Sequence, residues 1–173
     1  MFEPKRIAKN AIPSAVSKAL RYRLLNEPLE AESICLDVLD VDPDNQEALV
    51  TLILALTDQF ETEFAQSILR ATELLPKLQD EYDREYYAGI INERWANAQM
   101  ARSVPGDVVY SWFQKALGCY ERAEALSRPD DADAALRWNT CVRILARCPH
   151  IRPRADSMQR DLMAEFGDET PLR

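Results

Sequence analysis

One histidine, four cysteines and four glycines limit the chemistry open to this 173-residue chain. With His150 as the sole imidazole, no HExxH zinc helix exists, and any catalytic triad would have to use this one ring. Cys148-Pro149-His150 could supply two metal ligands, but a closed zinc site needs four, and the plainer reading is a helix end followed by a turn. Gly89, Gly106, Gly118 and Gly167 are too scattered to cradle a phosphate. Among the carboxylates, Glu93, between Asn92 and the Trp95 turn, is the one whose burial would matter. Tyr82, Tyr86, Tyr87, Trp95, Trp112 and Trp138 could form a ligand box, yet at helical spacing such rings more often pack between long helices. No catalytic residue, cofactor or metal site is read, and the chain reads as a non-enzyme.

Composition points to helices. Four glycines are far below the ~7% of ordinary proteins, and Ala, Leu, Glu and Arg are abundant. Cys35, Cys119 and Cys141 fall on the apolar sides of predicted helices, where a thiol acts as a small hydrophobe, and no CxxC occurs. The first residues carry charges but no apolar run of the signal-peptide kind, and the longest apolar stretch, Ala48 to Leu56, is about half a membrane span. A soluble, cytoplasmic protein with no membrane partner is expected.

Charge is segregated within a net −8. From Leu24 to Leu69 there are eleven acidic residues and no Lys or Arg. Upstream, Lys5, Arg6, Lys9, Lys18, Arg21 and Arg23 oppose only Glu3; near the other end, Arg137, Arg143, Arg147, Arg152, Arg154 and Arg160 oppose Asp156. The bland reading is a solvated surface. The functional one is an acidic face that steers a basic protein segment, or oppositely charged regions that join copies head to tail. The net charge disfavours nucleic acid as a partner.

Breakers divide the chain into rods. Pro13 opens a first helix running to Leu25, and Asn26-Glu27-Pro28 ends it and opens a second. Asp42-Pro43-Asp44-Asn45 is a turn able to cap a third helix, Gln46 to Asp58, followed by a fourth from Glu61 to Leu75. Long helices are predicted from Asp80 to Ser103 and from Val108 to Ser127, then a seventh from Ala132 to Arg147. A last short helix would place Ala155, Met158, Leu162 and Phe166 on one face, as a cap.

These rods repeat with a 34-residue step. Ala31, Cys35, Val38 and Pro43 align with Ala65, Leu69, Thr72 and Lys77, while Ala15, Ala19 and Tyr22 align with Leu49, Ile53 and Leu56. Ala88, Ala116, Tyr120, Ala123 and Pro129 continue the pattern loosely, with Ala116 about sixteen residues late. Two extra turns on each helix of a third hairpin would account for that delay.

With small residues at Ala19 and Ala31, an aromatic at Tyr22 and a closing Pro43, the chain resembles the tetratricopeptide repeat (TPR) family. It departs from the pattern at Ile53 and Leu56. The resemblance implies an all-α fold: a right-handed superhelical array of antiparallel helix pairs, a TPR-like α-solenoid of about three to four hairpins. The organisation expected is a flexible N-terminal segment 1–11, one domain over 12–166 and a tail 167–173. The repeats fall at 12–45, 46–79, 80–129 (elongated) and 130–166 (with the capping helix).

The resemblance further implies a concave groove lined by first helices. The positions carried over are Val16, Leu20 and Arg23, then Val50, Leu54 and Thr57, then Tyr82, Glu85 and Asn92. One branch of the family grips a terminal carboxylate with Lys, Asn and Arg there, whereas Val16, Leu20, Val50 and Leu54 suit apolar side chains. These aliphatics could equally pack against neighbouring helices. The function expected is a non-catalytic protein–protein interaction module, a scaffold, adaptor or chaperone-like protein that holds a partner's peptide or helix. The alternatives are a self-associating structural protein and, third, a ligand or hydrolytic pocket beside a buried Glu93.

Overall fold

Asn45 shows how the sequence places its rods. Its side-chain oxygen accepts from the Ala48 amide at 3.0 Å, satisfying one of the free donors at the start of a helix. Asp80 does the same for the Tyr82 amide at 2.9 Å. Helix ends are equally specific: Asn26 adopts φ 61° and Ser103 φ 57°, the left-handed turn that stops a helix. The Glu27 and Val104 amides then reach back to the Tyr22 and Gln99 carbonyls.

The computed structural model describes residues 2–61 and 64–153, without the side chains of Phe64 and Ala65. Seven helices are described and no strand: α1 (Ile12–Leu24), α2 (Pro28–Val41), α3 (Gln46–Asp58), α4 (Phe64–Leu74), α5 (Glu81–Ala101), α6 (Gly106–Leu126) and α7 (Asp133–Arg147). The fold is all-α, and none of these helices is long and apolar enough to cross a membrane. The capping helix expected over Ala155, Met158, Leu162 and Phe166, the tail 167–173 and the small side chain of Ala65 lie outside the described residues.

Each helix packs on the next, and α1 also packs on α3, and α3 on α5. Residues 12–79 therefore hold two consecutive helix pairs side by side. Ala19, Cys35, Leu49, Ile53, Leu56, Phe60 and Ala71 build the core of this half, into which Trp95 of α5 inserts. Ile90, Val109, Phe113, Ala116, Tyr120 and Cys141 build that of the other half. Upstream of α1, Ile7 packs on the small cluster of Val16, Val38 and Ala48, and residues 9–11 form a 3-10 turn.

The 34-residue step does not carry through α4. Leu69 and Thr72, the counterparts of the buried Cys35 and Val38, are exposed. The residues facing inward are instead Ser67, Ala71, Leu74 and Leu75, each 36 positions after Ala31, Cys35, Val38 and Leu39. A register shifted by two residues rotates the buried stripe of a helix by about 200°, so the face expected to point inward points outward.

The elongated third pair is present as expected: α5 and α6 have 21 residues each, against 13 in α1 and in α3. At 1.5 Å per residue the added length is about 12 Å, or roughly two turns, on each helix.

Candidate functional site

An apolar cleft of about 350 Å³ lies between α4, α5 and α6. Ile68, Leu69, Thr72 and Leu75 form one wall; Ile91 and Trp95 lie opposite, with Trp112 and Lys115 at the α6 side. Leu69 keeps 65% of its surface exposed, high for a leucine beside so much apolar area. Trp95 and Trp112 meet edge to face with centroids 6.1 Å apart, and Trp95 also sits edge-on to Phe60 at 5.3 Å. The Lys115 ammonium lies 3.9 Å from the Trp112 ring centroid, a cation–π contact at the cleft's rim. Thr72, Asn92 and Lys115 are the polar side chains among the lining residues. Such a surface holds apolar groups; it offers no nucleophile beside a base.

No protein-family model, curated protein or solved structure matches this chain.

The nine groove positions expected from sequence do not line one cleft. Val16 is 3% exposed and packs on Val38 and Ala48, with Leu20 half-buried beside it. Val50 packs on the first core cluster and Leu54 on the second. For these four aliphatics the structure displays packing between helices. Arg23 and Thr57 are drawn together by Asp58: Arg23 pairs with it at 2.7 Å, Arg94 pairs with it from the other side, and Arg94 donates to the Thr57 hydroxyl at 2.7 Å. This chain of charges links α1, α3 and α5.

Glu85 pairs with Arg122 at 2.9 Å across α5 and α6. Tyr82 stacks on Tyr86 at 5.7 Å and lines a separate cleft with Asp80, Asp83, Asp130, Asp131 and Asp133. Burial and the neighbouring Asp131 push the Tyr82 phenol above its ordinary range. Asn92 alone of the nine borders the apolar cleft, and its amide donates to the Ala88 carbonyl at 2.8 Å and weakly to the Cys119 sulfur at 3.8 Å.

Glu93 is buried at 3% exposure, as the pocket alternative required. Both its oxygens are occupied, however. The Tyr120 hydroxyl donates to Oε2 at 2.5 Å, and Arg137 of α7 donates to Oε1 at 3.3 Å. Burial first, then the Glu93 charge, drive the Tyr120 phenol far up, so it stays a protonated donor. Arg137 remains cationic, because Glu93 and Tyr86 outweigh the opposing effect of its burial. The trio is an internal tie joining α5, α6 and α7.

Trp95 and Trp112, two members of the aromatic set read as a possible ligand box, do border the cleft, whereas Leu69 and Lys115 are not candidates from sequence. The available signal was the change of step: a 36-residue register for α4 places Leu69 off the buried stripe, where an apolar residue needs another explanation.

Proposed function

We propose that this chain is a non-catalytic protein-binding module, a scaffold or adaptor, built as a TPR-like right-handed superhelical array. Its receiving surface is the α4–α5–α6 cleft, which takes the apolar side of a partner helix or peptide. The observation that carries this reading is the exposure of Leu69 in the wall of a cleft floored by Ile91 and Trp95. Two large side chains spaced one helical turn apart would fill about 350 Å³. A partner carboxylate beside them would meet Lys115.

Support also comes from what fills the face between the first helices. There Arg23, Asp58 and Arg94 are bound to one another, and Val16 is buried. An incoming peptide would have to break those pairs, whereas the cleft is open.

The test is Leu69→Glu. The side chain is exposed, so helical content and melting temperature should match wild type within the small range of surface substitutions. Capture of partners from native lysate should fall at least about tenfold, the effect of losing about 1.4 kcal/mol at an interface. Undiminished capture by the folded variant would remove the cleft from the account.

A further inference from the structure

We infer that residues 154–166 pack along α7, beside α6, as the second helix of a fourth pair that closes the end of the array. Each of α1, α3 and α5 is followed by a helix that packs on it, whereas α7 packs on α6 and has no following helix among the described residues. Burial shows the difference. Between its neighbours, α3 buries Leu49, Leu52, Ile53 and Leu56, while the buried residues of α7 are Ala134 and Cys141. A second apolar stripe runs beside those two: Ala135, Trp138, Val142 and Leu145, at spacings of three and four residues. Val142 is 43% exposed, and the other three are half-buried. On α6, Tyr110 and Leu117 are half-buried against the same cluster as Trp138 and Leu145. They lie roughly 150° round the helix axis from Trp112 and Lys115, so this face is distinct from the α4–α6 cleft.

The described chain stops where such a helix would begin. Ile151 is 4% exposed and packs in the core that holds Cys141, and its amide donates to the Cys148 carbonyl at 2.9 Å. The His150 carbonyl presses on the start of α6 so closely that Gly106 has no room for a Cβ. The turn after α7 is thereby held at the first residue of α6, and the chain continues from that end of both helices. Beyond it, Pro153 and Gly167 bracket residues 154–166, with Ala155, Met158, Leu162 and Phe166 recurring on one helical face. As a helix these residues would measure about 20 Å, nearly the ~22 Å of α7.

The other end of the array sets a precedent. There Ile7, upstream of α1, packs on the cluster of Val16, Val38 and Ala48, so a flanking segment already covers one end. Tethering also favours this occupant over a second copy. A segment that starts at the face it covers acts at an effective concentration of roughly millimolar, far above a micromolar solution of the protein.

Amide hydrogen exchange of the full chain is the test. In wild type, amides 157–166 should exchange at least about tenfold more slowly than 168–173 after correction for intrinsic rates, and equally at ~1 and ~100 µM. Val142→Glu places a charge in the covered stripe and should speed exchange of 157–166 at least about tenfold, with circular dichroism checking that the other helices persist. Leu136→Glu changes a leucine that is 59% exposed and roughly 120° round α7 from Val142, so it should leave that exchange unchanged. Leu162→Glu alters only the covering segment and should speed exchange of amides 143–147 on α7 without loosening α1 to α5. Wild-type amides 157–166 that exchange as fast as 168–173 overturn the inference, as do equal responses to Val142→Glu and Leu136→Glu. Protection that disappears on dilution places the segment on a second copy and overturns it too.

Discussion

The Tyr120 hydroxyl, from α6, donates a 2.5 Å hydrogen bond to Glu93 on α5, and both residues are buried. A carboxylate in that position is tolerated only because donors surround it, with Arg137 meeting its other oxygen. Tyr120→Phe keeps the ring and removes one donor. It should cost about 1.5–3 kcal/mol, the range for hydrogen bonds to charged groups, and lower the urea midpoint without changing helical content. A midpoint equal to wild type would mean that Glu93 is satisfied otherwise.

Gly89 makes room for that ring. A Cβ there would come within 2.6 Å of Tyr120 Cδ1, inside any allowed contact, and Tyr120 has no free space to retreat into. In an exposed helix Gly→Ala gains about 1 kcal/mol; here overpacking should reverse the sign and cost roughly 1–3 kcal/mol. Thermal denaturation of Gly89→Ala decides it, and a rise in melting temperature would contradict the packing described.

Leu54 and Leu69 should behave oppositely when changed to glutamate. Leu54 packs half-buried against the cluster that contains Ile90 and Phe113, so the charge should destabilise by about 2–4 kcal/mol. Leu69 is mostly exposed, so its change should alter stability by less than about 0.5 kcal/mol. Chemical denaturation of the pair, run side by side, reads both.

Alkali should unfold the protein partly through its thiols. Burial, helped by Glu32 at Cys35 and by Glu93 at Cys141, pushes both thiols from 9.0 up to about 12. The folded chain therefore keeps protons that the unfolded chain releases from about pH 9. Their contribution is complete below pH 9 and is lost as pH rises toward 12. Stability should decline across that window, and a Cys35→Ala/Cys141→Ala variant should decline less steeply. Equal slopes would show that other groups carry the effect.

Ser103 ends α5 at φ 57°, a conformation that costs a side chain about 1–2 kcal/mol and glycine little. Ser103→Gly should therefore raise stability by roughly 0.5–1 kcal/mol, seen as a higher melting temperature. No gain would mean that the serine side chain compensates locally.

The helices were legible because their boundaries are written locally. Asn45, Asp80, Pro28 and the Asn26 turn act on neighbours a few residues away, and α3 begins at Gln46 and ends at Asp58 as read. The length of the third pair was legible too, as a delay in the position of Ala116. The facing of α4 was not. Helix α4 buries residues 36 positions after those of α2, and the similarity of Ala31 and Cys35 to the residues 34 positions on does not carry that shift.

The sequence by itself determined an all-helical chain, its punctuation, its segregated charge and a core of small and aliphatic residues, since propensity, capping and periodicity act over a turn or two. Tertiary structure alone decided which apolar residues face water. Leu69 borders a cleft because α4 turns Ser67, Ala71, Leu74 and Leu75 inward and leaves Leu69 beside the α5 residues Ile91 and Trp95. Glu93 meets Tyr120 and Arg137 across 27 and 44 positions because three separate helices converge there. Burial and partnership at such sequence distances follow from how separate rods are rotated and packed on one another, which no local pattern specifies.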